Sequence, residues 1–331
     1  PFFSIFFNHI NTVPLRRNEF LHIWNNNFEN NMEKWLERVH KDLLSWGFNS
    51  IGWVQEVVVR KETMRRHSRN FTFEEYQWLD MPYCHMLPFS DFHQWEVETR
   101  NLDFFSPEFE EWCDYVAREH CTRMANDPKL IGYFYIDCPT WVHIMFKNPV
   151  KGAIVDPEEY KTPSGKKKLY KIAEQYYKVT HDSIRRYDKN HLIFGDRYEA
   201  NRPIAFEVIE AALPYVDILS FQHFNQPETI VANLRSWHEQ TGKPTLLADF
   251  GHNENIEGSD YRTHNTEKYI QTIEMLRKEP SCIGLHLCGA YISNRARRRG
   301  VIDEYGNYYN PEFSSIVKAN NDTVAWVAKN R

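Results

Sequence analysis

The chain has 331 residues, 42% of them apolar, including 22 Phe, 18 Tyr and 10 Trp, enough for the core of one large α/β barrel or of two ordinary domains. Its formal charge of -5 excludes a nucleic-acid binder that works by bulk positive charge. No apolar run reaches the ~18 residues of a transmembrane helix.

The start, "PFFSIFFNHI", lacks a basic n-region and alternates into polar groups, so it reads as a first strand over Phe2 to Asn8 rather than as a signal peptide. Phe28 to Trp46 carries Met32, Trp35, Leu36, Val39, Leu43 and Leu44 at helical spacing, and Gly47 stands where a helix stops. "SIGWVQE" predicts a second strand ending on Glu56, followed by a charged loop from Arg60 to Arg69, and "MPYCHML" a third strand ending near His85. Ser106 as cap and Pro107 in the first turn open a helix to about Ala125. "LIGYFYID" is the fourth strand, Ser164 to Tyr187 a long helix, and "HLIFGD" the fifth strand. A helix over Pro203 to Leu213 leads to "VDILSFQH", a helix over Pro227 to Thr241 to "PTLLAD", and a helix over Asp260 to Lys278 to "CIGLHLC". A closing helix covers Glu312 to Ala328.

Eight strand–helix alternations with near-continuous apolar strands predict a single (β/α)8 TIM barrel spanning 1-331 as one domain. The rival, a doubly wound open sheet, would want a glycine-rich phosphate loop after its first strand, and none is present. Six cysteines (Cys84, Cys113, Cys121, Cys138, Cys282, Cys288) form no CxxC pair, so neither a structural zinc site nor a disulfide framework is predicted, and the compartment stays open.

A barrel puts its working groups at the C-terminal ends of its strands. Those ends carry Asn8 and His9, Glu56, His85, Asp137, Asp196 and Arg197, His223 and Asn225, Asp249 and His252, then His286 and Asn294. Any one of these could be the ordinary polar end of a strand meeting water; their recurrence around the rim points to a polar site. Asp137 after strand four and Asp249 after strand seven would face each other across the mouth. Opposed carboxylates suit glycosidic cleavage, one protonating the leaving oxygen while the other attacks or activates water. The bland alternative is that each Asp caps the segment after it. Asp196 could instead work beside Asp137, but a binding role while paired with Arg197 is favoured; Glu56 and Glu254 are spare acids.

Trp53, Trp78, Trp95, Trp141 and Tyr291 fall at strand ends or in loops, where indole and phenol rings could stack on sugar C–H faces; Trp141 and Trp53 are the better platforms, and Trp35 and Trp46 belong to the core. The histidines lack paired HExxH spacing, so no metal and no cofactor is predicted. No GxSxG elbow exists for an esterase. Cys138 beside an Asp has no evident thiolate stabiliser, which argues against a nucleophile.

With these residues in view, the chain resembles the agarase-like glycoside hydrolases, barrels related to glycoside hydrolase family 50. The resemblance runs through "PFFSIFFNHI", "LLSWGFNSIG", "MPYCHML", "DFFSPEFEEW", "DPKLIGYFYID", "FGDRYEANRP", "VDILSFQHFN", "KPTLLADFGH" and the tail "RGVIDEYGNYYNPEF". It implies a glutamate acid/base after strand four, in an Asp-Asn-Glu sequence, and a glutamate nucleophile after strand seven. Here Ile136-Asp137-Cys138 stands at the first place, with Cys138 where the glutamate is expected, and Asp249 stands at the second. An aspartate withdraws its carboxylate by roughly 1.5 Å relative to glutamate, which shifts the pair toward the wider separation of inverting enzymes. The resemblance also implies a carbohydrate substrate and a secreted or periplasmic protein, and leaves the oligomeric state open.

The loop "SNRARRRG" puts Arg295, Arg297, Arg298 and Arg299 together, either a solvated basic loop or a site for a sulfated or otherwise anionic galactan, with Arg295 and Arg298 as contacts. A glycoside hydrolase using an Asp137/Asp249 pair is the first expectation; a barrel that has lost its glutamates and only binds sugar is the second.

Overall fold

The computed structural model describes residues 5–9, 29, 31–52, 56–59, 66–90, 92, 103–142, 153–292, 300–303 and 305–330, with backbone alone at 5–9, 56–59, 66–69, 289–290 and 292. In chain order the strands are β1 (Ile5–His9), β2 (Ser50–Ile51), β3 (Glu56–Val59), β4 (Arg66–Arg69), β5 (Tyr83–Met86), β6 (Leu130–Asp137), β7 (Leu192–Glu199), β8 (Leu219–Gln222), β9 (Thr245–Phe250), β10 (Asn253–Asn255), β11 (Arg262–His264), β12 (Cys282–Ile292) and β13 (Gly300–Ile302). The helices are α1 (Met32–Ser45), α2 (Phe73–Leu79), α3 (Pro107–Met124), α4 (Pro157–Tyr160), α5 (Pro163–Tyr187), α6 (Phe206–Ala212), α7 (Pro227–Thr241), α8 (Thr266–Arg277) and α9 (Phe313–Lys329).

The main sheet runs β1-β2-β5-β6-β7-β8-β9-β12-β13, and β1 also pairs with β12. The registers of β1 with β2 and β12, of β2 with β5, of β6 with β7, and of β7 with β8 are parallel. Parallel strands alternating with helices in an order that returns to its start are the (β/α)8 TIM-barrel topology the sequence predicts. By compactness the chain divides into two units, one of Pro1–Tyr83, Phe224–Arg235 and Leu247–Arg331, the other of Cys84–His223 and Ser236–Leu246.

In the first unit, α1 starts where the Asn31 side chain accepts the Lys34 N–H and buries Trp35, Leu36, Val39 and Leu43. It ends at Gly47, whose φ of +75° places it in the left-handed region that only glycine enters cheaply. Trp46 stacks on Tyr291 at 5.5 Å, and Trp35 meets the same ring edge-on. Tyr291 is therefore core rather than rim, and its hydroxyl donates to Asp42. Several features depart from the expected elements. Glu56 does not end a barrel strand: it opens β3, which pairs antiparallel with β4, so part of the charged stretch after Arg60 is a hairpin. The helix expected from Asp260 starts only at Thr266, because 253–264 folds back as the hairpin of β10 and β11. Helix α2, also unforeseen, has a capping box in which Thr72 and Glu75 satisfy each other's backbone N–H.

In the second unit, α3 has the Ser106 cap and Pro107 start read from the sequence. Helix α5 is capped by Thr162 and buries Leu169, Ala173, Tyr176, Tyr177 and Ile184. Full burial of Leu169 and of Ile184 contributes about 1.5–3 kcal/mol each, which helps fix this long helix against the sheet.

Candidate functional site

Strands β6 and β7 build the site, which lies within the second unit. Their register pairs Tyr133 with Ile193 but Phe134 with Gly195, so one extra residue is inserted at Phe194–Gly195. Gly195 takes φ +65°, and a Cβ there would stand 2.7 Å from Val216 Cγ1. A second shift, between Phe134 and Asp137, puts the extra residue on β6 instead, so the two strands are back in step where Asp137 pairs with Arg197. Strand β7 runs three residues past Asp196, the end expected from sequence.

Asp196 is consequently a mid-strand residue facing the helices. It is 0% exposed and accepts from Tyr177 OH (2.6 Å), Tyr176 OH (3.1 Å) and Trp141 Nε1 (3.2 Å). Tyr177 gives its proton to Asp196, so Tyr198 OH, 2.8 Å away, donates to Tyr177. Burial raises the Asp196 carboxyl to about 7, and the three donors only partly oppose it. Asp196 is thus not the partner of Arg197, and the indole N–H of Trp141 is already committed to Asp196.

Arg197, one residue on, turns to Asp137. Its Nε and Nη2 lie 3.0 and 2.8 Å from Asp137 Oδ1, and the Cys138 thiol donates to that same oxygen at 3.1 Å. Oδ2 has no hydrogen-bond partner among the described residues, and the side chain is 22% exposed. One carboxylate oxygen is clamped while the other is offered outward in a fixed direction. Cys138 makes this possible at a backbone cost: it sits at φ +50°, unusual for a non-glycine residue, held by its N–H on Arg197 O at 2.8 Å. Burial first, then the charges of Asp137 and Glu199, push its thiol up, so it remains a donor and not a thiolate.

The sequence reading missed Glu199. It is 5% exposed and accepts from Gln222 Nε2 (2.6 Å), Asn201 Nδ2 (2.5 Å) and the Asn201 N–H (3.1 Å). Cys138 Sγ is 4.0 Å from Glu199 Oε2 and 3.1 Å from Asp137 Oδ1, so the thiol stands between the two carboxylates. The signal for Glu199 was present: continuing the alternation of "GDRYE" two residues past Arg197 arrives at Glu199. His223, just after β8, is 2% exposed beside Glu199; its Nδ1 has no partner, and burial lowers it against the pull of that carboxylate. A groove with about 290 Å³ of free space, counting its open mouth, adjoins the cluster and is lined by Pro139, Trp141, Tyr198, Glu199 and Pro203 among others.

The remaining candidates are divided between the two units. His85 faces α3, its Nε2 2.9 Å from His120 Nδ1, and burial lowers both rings. Asp249, His252 and His286 belong to the first unit. Asp249 is 2% exposed on β9, and His286 is fully buried on β12. His252 lies 3.1 Å from Thr272 Oγ1 of α8 and is lowered to about 4 by burial. Asn8, His9 and Glu56 are placed by backbone only, and Asn294, Arg295, Arg298, Trp53 and Trp95 lie outside the described residues. Among the described residues, no group of three His, Cys, Asp or Glu side chains could hold a metal ion. No described helix is long and apolar enough to cross a membrane.

The fold is a TIM-barrel-like fold of the kind glycosidases carry. An exo-β-agarase matches with a TM-score of 0.68 at 17% identity, over 93% of this chain and 50% of its own. BpGH50 matches with a TM-score of 0.68 at 14% identity, over 99% of this chain and 79% of its own. A β-glucuronidase from an uncultured Clostridium species matches with a TM-score of 0.56 at 14% identity, over 97% and 51%. The chain thus spans about half the length of the exo-β-agarase. No protein-family model and no curated protein matches the sequence.

Proposed function

We propose that this chain is a glycoside hydrolase that cleaves a galactan-type polysaccharide or oligosaccharide outside the cytoplasm, with Asp137 and Asp249 as its catalytic carboxylates. The observation that carries the reading is the presentation of Asp137: a strand-end carboxylate with Oδ1 clamped by Arg197 and Cys138 and Oδ2 open. In the inverting form, one carboxylate takes a proton from water, the water oxygen bonds to the anomeric carbon, the glycosidic C–O bond breaks, and the other carboxyl gives its proton to the departing oxygen. The fold shared with an agarase and a glucuronidase supports the reaction class.

The test is reducing-sugar release from agarose, carrageenan and related galactans. Asp137→Asn and Asp249→Asn should each lower turnover by at least ~10³-fold while glycan binding persists. Proton NMR of the first-formed anomer should show inversion, and a retained anomer overturns that assignment. The second reading, a sugar-binding barrel, is favoured by Cys138, which stands where the family resemblance implies a catalytic glutamate. Binding without cleavage across the whole panel decides for it.

A further inference from the structure

The groove beside Glu199 has walls of unusual simplicity. Pro139, Trp141, Val142, Pro203, Ile204 and Val208 give it apolar sides, and Glu199 is its one carboxylate among the described residues. Its enclosed part takes a group no larger than a hydroxymethyl. Gln222 and Asn201 donate to Glu199 and hold it as an acceptor, and the charge of Arg197 is paired with Asp137.

We propose that this groove is a specificity pocket for an uncharged, hydroxyl-bearing arm of a sugar unit, an exocyclic hydroxymethyl group in particular. The inference rests on the glycosidase reading above and adds the class of sugar. The proline and tryptophan walls pack against the C–H atoms of the arm, and its hydroxyl donates to Glu199. A methyl group in the same place fits but loses the hydrogen bond. A carboxylate brings a second negative charge against Glu199 in a pocket with little water to screen it, so the pocket discriminates by repulsion as well as by attraction. Anionic substituents elsewhere on a polymer are untouched by this argument.

The test uses four 4-nitrophenyl glycosides that differ only at this arm: β-D-galactopyranoside (hydroxymethyl), β-D-fucopyranoside (methyl), α-L-arabinopyranoside (hydrogen) and β-D-galacturonide (carboxylate). Binding is followed by NMR and cleavage by kcat/KM. The wild type should prefer the galactoside to the galacturonide by at least ~10-fold, and Glu199→Gln should erase most of that preference. Val208→Leu, which fills the pocket without touching the charge, should bring the galactoside down to the arabinoside and leave the arabinoside unchanged. Equal acceptance of galactoside and galacturonide by the wild type, or an unchanged ratio in a folded Glu199→Gln variant, overturns the proposal. A chain that cleaves a polysaccharide yet binds none of the four probes overturns the pocket alone. A chain that neither binds nor cleaves any glycan removes the glycosidase reading and this inference with it.

Discussion

Asp196→Asn gives the sharpest physical test of the structure. Asp196 is fully buried, and its carboxyl is raised from 3.8 to about 7 by burial, which outweighs the donors Tyr177, Trp141 and Tyr176. The folded protein therefore holds this proton up to about pH 7, whereas the unfolded chain releases it near 3.8. Between these values the folded state binds more protons, so stability is full below the unfolded value and falls as pH rises through the folded one. A shift of about three units corresponds to roughly 4 kcal/mol. Asparagine is uncharged throughout: its Oδ1 can accept from Tyr177 and Trp141 while its Nδ2 donates to Tyr176, at a cost of about 1 kcal/mol for imperfect hydrogen bonds. The measurement is urea unfolding of both proteins, followed by tryptophan fluorescence from pH 4.5 to 8.5. Near pH 4.5 the variant should be equal to or slightly less stable than the wild type. By pH 8 it should be the more stable by a few kcal/mol. A stability difference that stays flat across this range would refute the claim that Asp196 ionises at a penalty inside the fold.

Other expected outcomes follow from the same geometry. Asp188 accepts from Tyr133 OH, His191 Nδ1 and the N–H groups of Asn190 and His191; burial opposes these bonds, but they win and hold it at about 2. Its stabilisation is present above the unfolded value and lost as pH falls toward 2, so the melting-temperature loss in Asp188→Asn should be clear at pH 6 and shrink below about pH 3. Gly195→Ala should destabilise by about 1–3 kcal/mol in chemical denaturation, because it adds both a positive-φ penalty and the Val216 contact; adding Val216→Ala should recover only the contact. Arg197→Lys keeps the charge but loses the two-pronged grip on Asp137, so turnover should fall about 10-fold or more with a smaller change in KM; unchanged kcat would show that Asp137 needs no clamp.

The strand–helix order, the Ser106 cap of α3, the Gly47 stop of α1 and the full extent of β6 were all legible in the sequence, because each depends on neighbouring residues: periodicity, a capping side chain, a residue that tolerates positive φ. Asp137 was legible for the same reason, as the first acid after an apolar run. The pairings of β3 with β4 and of β10 with β11 were not, since they depend on a partner strand and not on a run of apolar residues.

The partnerships at the site belong to tertiary structure alone. Sequence puts Asp196 beside Arg197 and invites them to be read as a pair. Neighbouring residues of a strand point to opposite faces, so Asp196 goes to two tyrosines and a tryptophan and Arg197 to Asp137. The same alternation puts Glu199 on the side of Arg197, where it meets Gln222 at the edge of the groove. Which partners wait on each face depends on the elements packed there, and the register of β7 on β6 shifts at Gly195 and shifts back before Asp137. The sequence supplied the glycine that makes the bulge cheap, but where the insertion falls was decided by the packing of β7 against β6.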